Sequence, residues 1–412
     1  MATETLALRG GTPVRQTPFP SWPPVTESTV RVVTDALYEG VWSDVAGERK
    51  LAFERAFADA HDARHGLAVS NGTVSLQIAL AALGVGSGDE VIVPAYTFLA
   101  TATSVLNVNA APVFVDVLPA SGTIDPAAVE AAITPRTKAI MPVHFGGHPA
   151  DLDALMDIAT RHGIPVVEDA AQAHGARWRG KAVGSFGAYG SFSFQASKNM
   201  TAGEGGALTT NDDELAELAW TLHHCGRVRG QAWYNHVVNG GNHRLGELQC
   251  AILLDQLTVA EERMQNRTTS ARILDEAFAQ IEGITPLVTD ERVTRHAYHI
   301  YCMRYDPAAF GGLDRATFME AMRAEGVPTS SGYISPLNRQ PVFAEHNFDV
   351  RAVGLDTSDP RFAYGDYRLP VSEALCEQMV MFPQYVLLGD EDAVRSIPEA
   401  VLKIQRDAAS LR

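Results

Sequence analysis

The segment of the chain with the clearest chemical potential surrounds Lys198. It reads SFSFQASKNMTAGEGG over residues 191–206, so the lysine stands in a Gly- and Ser-rich turn between two short apolar runs. A solvated surface lysine does not need such surroundings. A lysine attacks a carbonyl group only as the neutral amine, which a desolvated site, or an imine already formed with a cofactor, provides. The segment therefore predicts an imine-forming lysine.

An acid in a complementary position is Asp169, within EDAAQAHGA at residues 168–176. It directly follows an apolar run at 164–168 that predicts a strand. In an open α/β sheet the carboxyl ends of parallel strands face the ligand crevice, so we expect the Asp169 carboxylate there. In that crevice it would keep a pyridine nitrogen protonated. Read alone, the same acid also fits a cap of the following turn.

A third polar group, Asn71-Gly72-Thr73, lies between a predicted strand at 66–70 and a predicted helix at 74–83. Backbone N–H groups at a helix start attract a phosphate, glycine permits close approach, and the Thr73 hydroxyl adds a donor. A plain helix N-cap has the same sequence. The three groups are weak signals separately, but together they predict one crevice with an amine, an acid and an anion cradle.

The elements that must position these groups alternate between strand and helix, which is typical of an open α/β sheet. The strand runs are apolar without polar alternation, as expected when both faces are covered. Two amphipathic helices precede them between residues 26 and 61, and a long helical pattern follows at 255–284. The predicted strands are 66–70, 90–94, 112–117, 139–143, 164–168, 189–194 and 206–210.

The sequence predicts three parts: an N-terminal arm at 1–25, a large domain at 26–265 and a smaller C-terminal domain at 266–412. Five prolines between Gly10 and Pro24 favour an extended arm over the surface rather than a helix. Such arms often reach a partner subunit. From the large and the smaller domain we expect two lobes with one functional cleft.

Composition excludes several classes of protein. With 33 Lys and Arg against 49 Asp and Glu, the net charge of −16 argues against a nucleic-acid partner. No apolar stretch reaches the roughly 18 residues of a membrane span, and residues 1–10 lack the regions of a signal peptide. Four scattered cysteines without CxxC pairing indicate a reducing compartment and no metal site. We therefore expect a cytoplasmic protein.

Four motifs carry a resemblance to a known family: SNGT at 70–73, VPAYTF at 93–98, EDAAQAHGA at 168–176 and SFSFQASKNMTAGEGG at 191–206. They resemble those of the DegT/DnrJ/EryC1/StrS aminotransferases, which use pyridoxal 5′-phosphate (PLP) to aminate keto-sugars and ketocyclitols. The resemblance extends over nearly the whole chain. It implies the α/β fold of type I PLP-dependent transferases, in which a mostly parallel seven-stranded sheet forms the large domain and a smaller C-terminal α/β domain follows.

The resemblance also implies roles for individual residues. Lys198 would form the imine with PLP and then carry a proton between Cα of the amino donor and C4′ of the cofactor. The active unit would be a homodimer with shared sites, which alternates between PLP and its amine form, PMP. The further cofactor contacts would be Asp169 at the pyridinium nitrogen, Gln172 at the phenolic oxygen, Phe98 on the ring, Gly72, Thr73 and Ser193 at the phosphate, and Asn242 of the neighbouring subunit at that phosphate.

The substrate class is predicted from finer similarities. Lys198 favours aminotransferases over the deoxysugar dehydratases of the group, which have His at this position. The opening LRGGTPVR and the segment YISPLNRQPVF at 333–343 resemble most closely the enzymes that use glutamine to aminate scyllo-inosose or 2-deoxy-scyllo-inosose for aminocyclitol antibiotics. Residues 201–206 and 223–227 are also similar to 3-amino-5-hydroxybenzoate synthases. Nucleotide-keto-sugar aminotransferases are a further alternative.

Four polar residues are candidates for substrate contact: Tyr333, Asn338, His299 and Arg244. The planar fork of Arg244 suits the α-carboxylate of an amino donor. For each of the four, a hydrogen bond between the lobes or a surface ion pair is the competing interpretation.

Two other classes of protein are alternatives for this sequence. A nicotinamide oxidoreductase fits poorly, because the glycines at 84–88 follow a helix and Asp89 stands where the dinucleotide fingerprint needs its last glycine. A non-catalytic regulator on the same fold is the second. The presence of both Lys198 and Asp169 argues against it, and the colour of a bound cofactor distinguishes the two.

Overall fold

The computed structural model describes residues 5–43 and 47–411. None of the helices within these ranges is long and apolar enough to cross a membrane. The α-helices are α1 Glu27–Glu39, α2 Arg49–Ala60, α3 Gly72–Ala82, α4 Leu99–Asn107, α5 Pro126–Ala132, α6 Leu152–His162, α7 Asp213–His223, α8 Glu247–Leu257, α9 Ala260–Phe278, α10 Arg315–Ala324, α11 Pro341–Ala344, α12 Val350–Val353, α13 Pro370–Gln378 and α14 Glu391–Arg406. The strands are β1 His65–Val69, β2 Glu90–Pro94, β3 Ala111–Val115, β4 Thr137–Ile140, β5 Val167–Asp169, β6 Arg177–Trp178, β7 Lys181–Ala182, β8 Tyr189–Ser193, β9 Gly206–Thr210, β10 Ile284–Pro286, β11 Val293–Arg295, β12 Ile300–Tyr305 and β13 Met379–Pro383.

A central sheet organises the large domain. Its strand order among the described residues is β3-β2-β4-β5-β8-β9-β1, with β4 joined to β5 by two parallel bridges, Ile140 to Val166 and Val143 to Asp169. Only β9 runs antiparallel to its neighbours in this order. The predicted α/β class with a mostly parallel seven-stranded sheet is therefore confirmed.

The sheet strands form where apolar runs are buried on both faces. β2 and β9 occupy the predicted residues 90–94 and 206–210 and are buried throughout. The prediction of a strand at 164–168 was wrong at its start, because Ile164 still donates its N–H to the Ala159 carbonyl at the end of α6, so β5 begins at Val167. The helical pattern at 255–284 is two helices, α8 and α9, separated at Thr258 and Val259.

The smaller domain is an antiparallel sheet, β10-β12-β13, covered by α10, α14 and the end of α9. The helix α9 belongs to both domains. Its Met264 packs in the core of the large domain, whereas Leu274 and Phe278 pack in the core of the small one. The predicted boundary at 265/266 therefore falls inside a continuous helix, which makes α9 the physical link between the lobes.

Residues 337–369 leave the small domain and pack on the large sheet. Phe343 and Tyr364 lie in the core of the large domain, in ring contact with Phe114 of the edge strand β3 at 4.9 and 5.3 Å. The Tyr364 hydroxyl donates to the Pro112 carbonyl at 2.8 Å. The division at 265/266 stays a prediction, and this packing refines it: part of the predicted C-terminal domain completes the large one.

The N-terminal arm lies on the small domain of its own chain. Leu6 is fully buried in the core of that domain. The Glu325 carboxylate accepts hydrogen bonds from the backbone N–H groups of Ala7 and Val14, and Lys403 pairs with the same carboxylate at 2.9 Å. Residues 1–4 of the predicted arm lie outside the described residues. The arm is thus anchored at its start by a buried ion pair.

Candidate active site

The three polar groups predicted from sequence meet at one edge of the central sheet. Asp169 ends β5, and Lys198 follows the end of β8. The segment Asn71-Gly72-Thr73 follows β1, whose last residue pairs with Gly206 at the start of β9. Since β5, β8, β9 and β1 are neighbours, the sheet brings an acid, an amine and a helix start into one crevice.

The Asp169 carboxylate is 5% exposed and holds two hydrogen bonds. One oxygen accepts from the Thr101 hydroxyl at 2.8 Å, and the other accepts from the Ala171 N–H at 3.2 Å. Burial raises the pKa of Asp169, against the effects of these bonds and of the Lys198 charge. Thr101, on α4, was missed by the sequence reasoning. Its only signal was its position just after the VPAYTF motif at 93–98.

The preceding residue, Glu168, has the opposite environment. Successive side chains of a strand point to opposite faces of the sheet, and Glu168 is fully buried on the other one. Its oxygens accept from His144 Nε2 at 3.0 Å and from backbone N–H groups of the 184–187 turn. His144 Nδ1 accepts from the Ala150 N–H, so Nε2 carries the proton. Burial would raise the pKa of Glu168, but these hydrogen bonds outweigh it, and the pKa lies below its usual value.

The Lys198 turn is held by hydrogen bonds within the large domain. The Lys198 N–H donates to the Gln195 carbonyl at 2.9 Å. Three residues later, Thr201 exchanges two hydrogen bonds with the buried side chain of Gln256, at 2.9 and 2.6 Å. Burial lowers the pKa of Lys198 to about 8, although the Asp169 charge opposes this. A neutral amine is therefore accessible near physiological pH, as imine formation requires.

Two buried histidines lie near the lysine. Burial and the Lys198 charge hold the pKa of both His174 and His299 well below the usual value, so both rings are neutral. Asn199 donates to the Ala297 carbonyl, which leaves its side-chain oxygen to accept from His299 Nδ1 at 3.3 Å. The structure brings His299 to the site, and its contact with substrate stays a prediction.

The start of α3 forms a narrow cradle. Asn71 caps the helix by accepting from the Val74 N–H at 2.9 Å. A Cβ on Gly72 would lie 2.7 Å from Ser193 Cβ, so only glycine permits this approach. No acceptor within residues 5–43 and 47–411 is engaged by the N–H groups of Gly72 and Thr73. The cradle fits a small anion at a helix start.

Gln172 and Tyr333 line the crevice together. The Gln172 side-chain oxygen accepts from the Gly146 N–H at 2.8 Å, and its Nε2 donates to the Tyr333 hydroxyl at 3.2 Å. Burial raises the pKa of Tyr333, and its ring packs edge-on against Tyr96 at 5.3 Å. Phe98, at the N-cap of α4, is 60% exposed. An aromatic ring this open has a face left for another ring, and the contact of Phe98 with the cofactor stays a prediction.

Two of the predicted residues lie on a surface segment. Asn242 is exposed and pairs through its backbone with His224. The backbone of Arg244 pairs with Val69 at the end of β1, and its guanidinium approaches Cys225 Sγ at 3.5 Å. The end of β1 therefore carries this segment close to the anion cradle, while the contacts predicted for both side chains stay predictions.

Asn338 is fully buried, away from solvent. Its Nδ2 donates to the backbone carbonyls of Tyr364 and Tyr367, at 2.8 and 3.2 Å. These bonds hold the two ends of the returning 337–369 segment together. Both bonds join two parts of the same segment, so they are not bonds between the lobes, and the contact of Asn338 with substrate stays a prediction.

The arrangement fits PLP on three counts. The cradle at Gly72 suits a phosphate, the buried Asp169 carboxylate suits a protonated ring nitrogen, and Lys198 suits an aldehyde. A raised acid pKa and a lowered amine pKa at one sheet edge are also typical of functional sites. The chemistry that the site supports is carbonyl and amine exchange.

Comparison with known proteins gives a consistent result. Residues 24–401 match the DegT/DnrJ/EryC1/StrS aminotransferase family. A Streptoalloteichus tenebrarius protein with the provisional name L-glutamine:3-amino-2,3-dideoxy-scyllo-inosose aminotransferase is 42% identical over 100% of both chains. An L-glutamine:2-deoxy-scyllo-inosose aminotransferase from the same organism is 39% identical over 99% of both.

Solved structures give the same picture. The crystal structure of 3-amino-5-hydroxybenzoic acid synthase matches with a TM-score of 0.85 and 36% identity, over 96% of this chain and 100% of that one. The structure of NtdA from Bacillus subtilis, with the cofactor PMP bound, matches with a TM-score of 0.82 and 26% identity, over 95% of this chain and 86% of that one.

Proposed function

Because the chain belongs to the DegT/DnrJ/EryC1/StrS aminotransferase family, we propose that it moves the amino group of L-glutamine to a ketocyclitol of the scyllo-inosose or 2-deoxy-scyllo-inosose type, with PLP as cofactor. The observation that carries the chemistry is the buried Lys198 amine, with a pKa of about 8, opposite the Asp169 carboxylate. The acceptor class is supported by the names of the relatives that are similar over the full chain. The reaction would serve aminocyclitol biosynthesis.

Each residue of the site has a defined task in this proposal. PLP, when bound, supplies an electron sink for the pair left behind when a Cα proton departs. Lys198 would bind the cofactor as the neutral amine. Its Nζ would then accept the proton from Cα of the amino donor and return it to C4′ of the cofactor. Asp169 keeps the ring nitrogen protonated. Gln172 would contact the phenolic oxygen, and Phe98 would cover the ring.

The phosphate is held from two sides in this proposal. Gly72, Thr73 and Ser193 supply backbone and hydroxyl donors from the helix start and the end of β8. Asn242 reaches the same phosphate from the other subunit of a homodimer, which is supported by its exposure in a single chain.

The substrates are small molecules. Arg244 holds the α-carboxylate of the donor, and Tyr333, His299 and Asn338 are the further polar contacts proposed for the substrates. We place the reaction in the cytoplasm, because Cys225, Cys250, Cys302 and Cys376 are all free thiols.

The decisive experiment is the half-reaction. Purified protein loaded with PLP is mixed with L-glutamine, and the loss of visible absorbance is followed. Scyllo-inosose, 2-deoxy-scyllo-inosose and a nucleotide-linked keto-sugar are then added separately. We expect glutamine to remove the band and a ketocyclitol to restore it. Restoration only by the nucleotide sugar would overturn the acceptor class, and an unchanged band in Lys198→Ala would overturn the role of the lysine.

A second reaction, the loss of water from a ketocyclohexene to give an aromatic amine, is favoured by one observation, the TM-score of 0.85 to 3-amino-5-hydroxybenzoic acid synthase. An amino-ketocyclohexene carboxylate is therefore a fourth compound in the same assay. Conversion of this compound to an aromatic amine, without turnover of either inosose, would establish the alternative.

The shared site is tested with hybrid dimers. Lys198→Ala and Asn242→Ala proteins are each measured alone and then after subunit exchange. If the phosphate contact crosses the interface, one site of each hybrid has both native residues, and the mixture regains activity. If Asn242 serves its own chain, every site in the hybrid lacks one residue and no activity returns.

A further inference from the structure

The N-terminal arm contacts the lysine turn through Trp22. The indole N–H donates to the Ala196 carbonyl at 3.0 Å, two residues before Lys198. The guanidinium groups of Arg263 and Arg267 lie 5.6 and 5.5 Å from the centre of the Trp22 ring. A half-buried tryptophan thus connects the turn to the link helix α9, on which both arginines stand.

Arg267 is a buried cation without an acidic partner among residues 5–43 and 47–411. It is 1% exposed, and its Nε donates to the Gln384 side-chain oxygen at 3.0 Å. Burial, and then the charge of Arg263, lower the pKa of Arg267 to about 9. Besides the Gln384 oxygen, which accepts from both Nε and Nη2, the Trp22 ring is a described group that stabilises this charge, because aromatic faces attract cations.

The charge of Arg267 reaches the surroundings of the lysine. His174 and His299 each have a pKa lowered by burial and also by the charges of Lys198 and Arg267. Two neutral rings thus lie within electrostatic reach of both cations. Arg267 and Lys198 therefore share one electrostatic environment.

The other end of the arm is fixed independently. Besides the contacts of Glu325 with the arm, the Phe19 ring packs on the small-domain core, with the Arg15 guanidinium 4.6 Å from its centre. Gln384, which holds Arg267, also belongs to the small domain. The arm therefore runs as a strap from the small domain to the lysine turn of the same chain.

We propose that Trp22 is a positioning residue for Lys198: its indole N–H fixes the Ala196 carbonyl, and its ring holds the Arg267 guanidinium, so that the turn keeps the lysine amine directed at the cofactor. The inference rests on the proposed role of Lys198. It assigns to the N-terminal arm a task in its own site.

The test compares Trp22→Ala and Trp22→Phe with Phe19→Ala, a matched control that removes a ring with an arginine contact from the same arm. Three quantities are measured on PLP-loaded full-length protein: the pH midpoint of the visible absorbance change, kcat and KM for glutamine, and the thermal unfolding midpoint. Asp169, His174 and His299 face the lysine in every variant. A difference between variants in the absorbance midpoint or in kcat is therefore due to the N-terminal arm.

For Trp22→Ala we expect the absorbance midpoint to shift by roughly one pH unit. We expect kcat to fall about tenfold with less change in KM, because a small misplacement of a reacting group is costly. Trp22→Phe keeps the ring and loses the N–H, so its values should lie between. Phe19→Ala should keep the native midpoint, whatever its thermal stability.

The inference is overturned if Trp22→Ala has the native midpoint and kcat, or if Phe19→Ala shifts the midpoint equally. If Trp22→Ala does not fold, Trp22→Phe decides alone: a native midpoint and kcat in that variant reject the role of the N–H. Lys198→Ala separates the two ideas. If Lys198→Ala still transfers the amino group of glutamine, the proposed role of Lys198 fails irrespective of Trp22.

Discussion

The two faces of β5 bear adjacent carboxylates with opposite properties. On the front face, toward the crevice, Asp169 accepts two hydrogen bonds, and burial raises its pKa. On the back face Glu168 accepts four, and its pKa is lowered despite complete burial. The number of hydrogen-bond donors around each carboxyl group decides whether its ionised or its neutral form is favoured. The difference teaches that the back face is internally satisfied, whereas the front face has capacity left for a ligand.

The contrast predicts that front and back substitutions have separable effects. A front substitution should remove activity and leave the fold intact, because the charged groups there are poorly solvated and gain little from each other. A back substitution should do the reverse, since it leaves several buried donors unsatisfied. Four variants test this separation.

The largest effect is expected from Lys198→Ala on the front face. Loss of the amine that binds the cofactor and moves the proton should lower kcat by roughly 10⁴ or more. Thermal stability should be unchanged or higher, since a desolvated amine is removed. The exposed Lys138→Ala is the control and should retain native kcat. If Lys198→Ala were as active as the wild type, the front face would not carry the chemistry and the comparison of the two faces would fail.

Asp169→Asn should lower kcat/KM by roughly a hundredfold or more, because a neutral amide holds a ring proton poorly. The same variant should stabilise the cofactor-free protein at neutral pH. Because the pKa of Asp169 is higher in the folded protein than its ordinary value of 3.8, the protonated carboxyl stabilises the fold below pH 3.8. This stabilisation is lost as the pH rises through the pKa of the folded state. Denaturant unfolding with and without PLP, at acid and neutral pH, measures this, and a destabilised cofactor-free variant at pH 7 would count against it.

Glu168→Gln should lower the free energy of unfolding by about 2 kcal/mol and change kcat less than twofold. The lowered pKa of Glu168 contributes stability above its ordinary value of 4.5, and that contribution is lost as pH falls through the folded value. The difference in the free energy of unfolding between wild type and Glu168→Gln should therefore decrease toward acid pH. A gap that widens on acidification, or a large loss of kcat, would show that the two faces are not separate.

The smallest effect is expected from Thr101→Val, which removes one donor to Asp169 at nearly constant volume. Loss of one buried hydrogen bond is worth about 1 kcal/mol, so kcat should fall by a few-fold up to tenfold. The acidic limb of the pH–rate profile should shift to higher pH, because loss of the Thr101 donor raises the pKa of Asp169 further. Ser104→Ala, whose hydroxyl donates to a backbone carbonyl of the same helix, is the control.

Local patterns predicted most of the large sheet and its site. The motifs around Lys198 and Asp169 follow strands, and strand order alone brings their ends together. Contacts between distant segments were not predictable. Nothing near Glu168 in the chain announces its bonds to the 184–187 turn, and Trp22 lies 174 residues from Ala196. Such pairs are set by tertiary packing and leave no periodic signal.

Asn338 and its neighbours show the same limit from the other side. The similarity of residues 333–343 to enzymes that aminate ketocyclitols predicts a substrate contact for Asn338. The described hydrogen bonds of Asn338 join it to residues 364 and 367 of the same segment, and its contact with substrate stays a prediction. A polar residue within a motif has no signature that separates support of the fold from contact with substrate.

The return of residues 337–369 to the large sheet also affects the order in which the protein can be completed during synthesis. Strand β3 is an edge strand, and the Tyr364 hydroxyl is bonded to its Pro112 carbonyl. A ribosome releases the sheet long before it releases Tyr364, so the edge of β3 is open for much of translation. Open edges pair readily with other chains, so nascent or truncated products are the forms of this protein most exposed to aggregation.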